Sequence, residues 1–112
     1  MKALALPKTC FLRKSWEYSQ VYRIGKRLRG NHFSVIFTPN GKAESRIGIS
    51  IHGVKKAVRR NRIKRIIREF FRLNRSVFPL PVDVIFAVRK EFVLDSPGEM
   101  EAVVVSLLKG KP

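Results

Sequence analysis

The sequence predicts a small α+β domain, a two-layer sandwich of helices packed on one mixed sheet. Three observations lead there. The chain has 112 residues, the length of one domain spanning 1–112, and such a chain should bury roughly 65% of its extended surface. Apolar residues alternate at period two near 33–37, 47–51 and 82–88, but recur at helical spacing from 57 to 74. Gly, Pro and Ser punctuate the borders between these stretches.

Taken in order, Ser15 is placed to cap a short helix carrying Trp16, Tyr18, Val21 and Tyr22, with Gly25 placed to stop it. Phe33, Val35 and Phe37 alternate with Ser34 and Ile36 as in a strand. It ends at Pro39-Asn40-Gly41, where Asn-Gly favours a tight turn. Ile47, Ile49 and Ile51 alternate with Arg46, Gly48, Ser50 and His52, a strand with one greasy face and one small or polar face. From Ala57 to Asn74 the period changes: Ile63, Ile66, Ile67, Phe70 and Phe71 fall at i, i+3, i+4, i+7 and i+8. At about 100° per residue, Asn61, Lys64, Arg65, Arg68, Arg72 and Arg75 gather on the opposite face. Pro79-Leu80-Pro81 reads as a stiff connector to a strand with Val82, Val84, Phe86 and Val88 on one side. Ser96-Pro97-Gly98-Glu99 is a capping box with Pro at the first helical position. The helix it opens packs through Met100, Val103, Val104, Leu107 and Leu108, and Gly110 closes it. The residues thus spell helix, strands, helix, strand, helix.

Hydrophobic residues make up 45% of the chain, too many for a disordered tail. Against them stand 24 Lys and Arg and only 8 Asp and Glu, a formal net charge of +16. The charge is concentrated: residues 55–75 carry 10 basic side chains and 1 acidic one, whereas residues 76–112 are close to neutral. A solubilising charge would mix both signs. A compact body this basic points to a polyanionic partner. The single cysteine, Cys10, excludes an internal disulfide framework and any multi-cysteine zinc site. No apolar run approaches the length of a membrane span, and Leu4-Ala5-Leu6 is too short for a signal peptide core. The expectation is a soluble, cytoplasmic, nucleic-acid-binding domain with no membrane partner and no small-molecule substrate.

The basic helix carries most of that argument. Glu69, at i+4 from Arg65, is the one acid on hand to relieve repulsion along its face. Like charges at i+3 and i+4 weaken a helix by a few tenths of a kcal/mol per pair. Guanidinium groups retained against that cost make sense beside phosphates, which they grip through paired hydrogen bonds.

Arg60-Asn61-Arg62-Ile63-Lys64-Arg65, followed by Ile66-Ile67-Arg68-Glu69-Phe70-Phe71, resembles the signature helix of the protein subunit of bacterial ribonuclease P. Arg46-Ile47-Gly48-Ile49-Ser50-Ile51 is similar to the family's strand before that helix. Lys14 to Gly25, with Tyr18 and Tyr22, is similar to its first helix, and Asp83-Val84-Ile85-Phe86-Ala87-Val88-Arg89 to its last strand. The resemblance runs from about residue 8 to 110. One stretch departs from the family pattern: His52-Gly53-Val54-Lys55-Lys56-Ala57-Val58 is one residue shorter, with glycine and lysines redistributed.

The resemblance implies the element order αβββαβα with a left-handed βαβ crossover around the signature helix. It also implies a function. The chain would be an RNA-binding subunit that assists a catalytic RNA in removing the 5′ leader from precursor tRNA. Its partners would be the ribonuclease P RNA and that leader, with Mg2+ in the holoenzyme bound mainly through RNA and none intrinsic to the chain. Arg60, Asn61, Arg62, Lys64, Arg65, Arg68 and Arg72 would contact the RNA subunit, although Asn61 could equally bridge backbone groups near the helix start. Tyr18 and Tyr22 would line a leader cleft, where stacking on rings tolerates any base; without the family match both would read as core. Arg46, Ser50 and His52 lie on the small-residue strand face that would complete the cleft. Phe33 reads equally as core or cleft, and Ile36 stands where some relatives place a tyrosine.

A catalytic centre within the chain itself is not expected. Metal-dependent phosphodiester cleavage needs converging carboxylates, and the eight acids are scattered, five of them in the C-terminal third. His32 and His52 could form an acid–base pair, but on different strands they more often face solvent or RNA. Cys10 reads as a buried or unremarkable thiol rather than a nucleophile. Two rivals remain at this stage: a structural RNA-binding protein of ribosomal type with no enzyme attached, and a DNA-binding module whose basic helix enters the major groove.

Overall fold

The computed structural model describes residues 8–110. A short 3-10 turn, Lys8–Cys10, leads into α1 (Ser15–Ile24). Three strands follow, β1 (Lys26–Arg29), β2 (Phe33–Pro39) and β3 (Arg46–Ile51). Then come α2 (Ala57–Leu73), a second 3-10 turn at Arg75–Val77, β4 (Val82–Val88) and α3 (Pro97–Leu108). This is the mixed α+β fold expected, and β1 is the one element that apolar periodicity does not mark.

The four strands form one sheet in the order β1-β2-β4-β3. The β1–β2 and β2–β4 pairs are antiparallel, and β3 lies parallel to β4. A parallel neighbour needs a long crossover, and α2 supplies it. Because β4 sits between β2 and β3, the Asn-Gly turn does not close a hairpin. Gly41 does adopt the left-handed φ of +66°, and the Lys42 N–H donates to Asn40 Oδ1 at 2.8 Å.

Alternation along the strands divides the sheet into two faces. On one, Phe33, Val35, Ile47, Val84, Phe86 and Val88 pack against Ile63, Ile66, Ile67, Phe70 and Phe71 of α2 and Met100 and Val104 of α3. Each large α2 side chain buried there stabilises the fold by about 1.5–3 kcal/mol. That outweighs the few tenths lost per like-charged pair on the helix's outer face. On the other face, Ile36 and Ile85 pack under Val21 and Leu12, with Tyr18, Tyr22 and Ala87 at the margin. The sandwich of α2 and α3 on the sheet therefore has a third, shorter component, since α1 covers part of the sheet's second face.

The helix ends show how local chemistry is shared out. Lys14, rather than Ser15, occupies the cap position of α1. Glu17 Oε1 accepts hydrogen bonds from the N–H groups of Arg13 and Lys14 at 2.8 and 3.0 Å, so the carboxylate replaces a hydroxyl cap. At α3, Ser96 Oγ accepts from the Glu99 N–H at 3.2 Å, while Glu99 reaches past Ser96 to the Asp95 N–H at 2.7 Å.

Arg46, at the start of β3, ties α1 to the sheet. Its Nε and Nη2 donate to the two carboxylate oxygens of Asp83 at 2.9 and 2.7 Å, and its Nη1 donates to Glu17 Oε2 at 2.9 Å. All three side chains are mostly buried. The backbone N–H groups of Lys14 and Arg13, then Arg46, hold the Glu17 carboxyl below its ordinary value of 4.5. A depressed carboxylate contributes stability that is present above its unfolded value and disappears as pH falls through the folded one.

Arg46→Ala should therefore cost about 3 kcal/mol, the lower end for a broken buried pair, because Asp83 loses its guanidinium. Chemical denaturation would measure it, and a cost within error of zero would mean that the clamp does not hold α1. In a pH series, stability should fall below the ordinary glutamate value of 4.5, and Glu17→Gln should flatten that acid limb.

Candidate nucleic-acid interface

Two surfaces stand out, and they meet along β3. The first is the outer face of α2. Asn61, Arg62, Arg65 and Arg68 are exposed there, with Lys64 half-buried beside them. Asn61, Arg62 and Arg65 surround a shallow depression with Val58, which is 81% exposed. Asn61 makes no side-chain hydrogen bond among the described residues, which leaves the backbone-bridging reading of it without support.

Several basic residues of this segment are occupied in the fold. Arg60 Nη1 donates to the carbonyls of Val54 and Lys55 at 3.1 and 2.8 Å. This locks the turn before α2, where Gly53 takes a φ of +79° and Val54 is buried. Arg59 donates to the Phe92 carbonyl, tying α2 to the segment before α3. Arg62 meets Asp95 at 3.4 Å with both side chains largely in water. Glu69 pairs with Arg72, not with Arg65: one turn back along the helix its carboxylate receives both Nε and Nη2 of Arg72. That pairing holds the Glu69 carboxyl below its usual range. Arg75 leaves the face and pairs with Glu44 at 3.0 Å. Glu44 also accepts from the Sγ of Cys10, a fully buried thiol raised by burial and by that bond.

The second surface lies on the α1 side of the sheet. Two cross-strand rows follow from the register. Gly48, Ile85, Ile36 and Arg27 form one, and Ser50, Ala87, Ser34 and Arg29 form the next. α1 lies over the first row. The Tyr18 ring rests on Gly48, where an added Cβ would stand 2.8 Å from two ring carbons. Burial pushes the Tyr18 phenol above its ordinary value, partly offset by the backbone of Ile49 and the charge of Arg68. Tyr22 is half-buried one turn on, with the Arg27 guanidinium 5.8 Å from its ring centre.

The second row lies beside α1, with the small side chains of Ser50 and Ala87 partly open and Ser34 buried beneath the Arg89 guanidinium. Ser50 Oγ and His52 Nε2 share a hydrogen bond of 2.9 Å at the β3 end. Arg68 reaches that end from α2, its guanidinium 5.6 Å from the Phe11 ring centre, and Phe11 bridges to Ile47 on the outer edge of β3. Tyr18, Tyr22, Ser50 and His52 are thus brought together, with the basic edge of α2 alongside.

Two residues considered for this surface do not serve it. Phe33 is fully buried on the opposite face, 5.7 Å from the Phe86 ring and 6.1 Å from Phe92, because alternate β2 residues point toward α2 and α3. Arg46 lies on the correct face, but its guanidinium is committed to Asp83 and Glu17. Ile36 is fully buried beneath α1. His32 and His52 do not pair: the His32 ring lies 3.4 Å from the Glu91 carbonyl. What residue patterns missed is β1, whose Lys26-Arg27-Leu28-Arg29 places Arg27 and Arg29 at the end of both rows. Three cations in four residues were the available signal.

Comparison with known proteins agrees with this arrangement. The Ribonuclease P family profile matches residues 6–111. The ribonuclease P protein component of Desulfotalea psychrophila is 52% identical over 108 residues, covering 96% of this chain and 90% of that one. The corresponding component of Thermotoga maritima is 38% identical over 81 residues, covering 71% and 69%. Among solved structures, the Staphylococcus aureus RNase P protein superposes with a TM-score of 0.76 at 28% identity, covering 91% of this chain and 94% of that one. The Thermotoga maritima protein superposes with a TM-score of 0.67 at 35% identity, covering 88% and 91%. No described helix is long and apolar enough to cross a membrane. With the profile spanning nearly the whole chain and relatives 52% and 38% identical over most of it, this chain belongs to the family of ribonuclease P protein components.

Proposed function

We propose that the chain binds the ribonuclease P RNA through the outer face of α2 and holds the 5′ leader of precursor tRNA in the trough beside α1, while the RNA performs the cleavage. The observation that carries this reading is the placement of Tyr18 and Tyr22 beside a floor of small side chains, next to the cationic edge of α2. Rings offer stacking worth roughly 1–3 kcal/mol per base without regard to sequence, which suits leaders of many sequences. Asn61, Arg62, Lys64, Arg65 and Arg68 present donors to phosphates, and Ser50 and His52 offer polar contacts at the floor. Arg60 and Arg72 contribute charge while their guanidinium groups are held within the fold.

Five of the eight carboxylates are committed to arginines: Glu17 and Asp83 to Arg46, Glu69 to Arg72, Glu44 to Arg75 and Asp95 to Arg62. On this reading magnesium in the holoenzyme would be held mainly by the RNA, whose phosphates supply the oxygen ligands such an ion prefers. The chain's part is to bind and to position. Its setting in a cell would be the cytoplasm, where tRNA precursors are made.

Mixed with a bacterial ribonuclease P RNA at low magnesium, the chain should restore precursor-tRNA cleavage, and alone it should cleave nothing. Cleavage by RNA-free protein would overturn the division of labour.

Arg65→Ala with Arg68→Ala should weaken association with the RNA subunit and reduce the slope of log affinity against log salt by about 1.8 on a duplex estimate. The melting temperature should hold, since both side chains are exposed. An unchanged slope with a lowered melting temperature would mean that these arginines are structural.

Tyr18→Ala with Tyr22→Ala should weaken binding of leader-bearing precursor roughly fivefold to a hundredfold per ring, and hardly affect mature tRNA. Gly48→Ala, which intrudes on the seat of Tyr18, should reproduce a smaller loss of the same kind. Equal loss for both tRNA forms with a collapsed melting curve would return the tyrosines to the core.

A further inference from the structure

We infer that Arg27 and Arg29 of β1 form a second phosphate-binding stretch at the far end of the trough, holding the leader's backbone beyond the tyrosines. This rests on the leader-binding reading above. The geometry begins with the register. Arg27 pairs with Ile36 and Arg29 with Ser34, and directly opposed residues share a face, so both arginines lie on the α1 side. They therefore end the same two cross-strand rows that begin at Gly48 and Ser50 on β3. With strands about 4.8 Å apart, those rows cross about 14 Å of sheet. A strand of RNA passing Tyr18 and Tyr22 along Ser50 and Ala87 meets the Arg89 guanidinium, which covers Ser34, and from there runs out over β1.

The charges there are unsatisfied. Among the described residues no carboxylate stands within ion-pair distance of Arg23, Lys26, Arg27 or Arg29, whereas Arg46, Arg62, Arg72 and Arg75 all have acidic partners. Arg27 and Arg29 are exposed, and Arg27 rests over the outer ring of the tyrosine pair. A guanidinium 5.8 Å from the ring centre is placed to reach the phosphate of a nucleotide passing Tyr22. Arg89 firms this end, donating to Ser34 Oγ at 3.2 Å and to the Gly30 carbonyl, which fixes the turn between β1 and β2. β1 is also a sheet edge, and cations on an edge discourage pairing between chains. Edge protection does not call for an arginine seated on Tyr22, nor for both arginines to continue the trough.

The test uses the reconstituted holoenzyme with Arg27→Gln and Arg29→Gln together, a change that keeps side-chain length on exposed positions. Affinity for precursor tRNA with a long leader should fall, and its salt slope should lessen by about 1.4, the value for two contacts on a single strand. Affinities for mature tRNA and for the RNA subunit should stay as they were. As leaders are shortened one nucleotide at a time, the effect should vanish at lengths where Tyr18→Ala with Tyr22→Ala still registers. In the unaltered chain, a photoreactive leader should cross-link to β1 from its distal nucleotides, which makes one arm independent of any variant's folding. Equal loss for mature tRNA, loss at every leader length, no loss, or self-association of the variant without loss would each overturn the inference. A tyrosine pair that is insensitive to the leader while the arginine pair remains sensitive would overturn the cleft reading and leave the β1 contact standing.

Discussion

The bridge from Asp83 through Arg46 to Glu17 governs how this molecule is put together. Asp83 belongs to a central strand, Arg46 to the neighbouring parallel strand, and Glu17 to the first turn of α1. One guanidinium therefore fixes the pairing of β3 with β4 at its start and places a short helix on the sheet. α1 has only 10 residues and buries only Val21 completely. A helix so short gains little from its own hydrogen bonds, so its position depends on what its ends are tied to. Removing an Arg from between two mostly buried carboxylates leaves charges that cannot be rehydrated. The aromatic side of the trough stands where it does because α1 stands there.

The chain's excess of positive charge has been sorted by the fold. Acidic partners take up Arg46, Arg72 and Arg75, and backbone carbonyls take up Arg59, Arg60 and Arg89. What is left over is arranged on two surfaces joined at β3: the outer face of α2, and the sheet face beside α1 with β1 at its end. The buried stripe of α2 makes this tolerable. Five large apolar side chains outweigh the mutual repulsion of the arginines above them, so charge that would destabilise a free helix is carried by an anchored one.

Glycine and small residues act on the trough by what they leave out. Gly48 provides a flat seat on which the Tyr18 ring lies, and any side chain there would displace it. Ser50 and Ala87 keep the floor of the next row low. The Gly53 turn leads β3 into α2, and Arg60 closes it by gripping the carbonyls of Val54 and Lys55.

Local chemistry determined most of the elements. The five apolar residues at helical spacing specified α2 and its basic outer face, and alternation specified β2, β3 and β4 as strands. The Ser-Pro-Gly-Glu box specified the start of α3. Each of these signals is contained in a window shorter than the element itself. β1 could not be read this way, because Leu28 is the one apolar residue of Lys26-Arg27-Leu28-Arg29, and its strand form comes from pairing with β2. The assignment of Phe33 to the core and of Arg46 to a clamp also lay beyond the sequence. Alternation says that residues share a face but not which face meets α2, and nothing in the order of residues says that Glu17 and Asp83, far apart in the chain, close on the same guanidinium. The partner of Glu69 was open for a similar reason, since Arg65 and Arg72 are both within reach on a helix and only side-chain packing chose between them. Sequence determined which surfaces are basic and which are greasy; tertiary structure decided which cations are spent inside the fold and which remain for RNA, because that choice depends on contacts between residues distant in the chain.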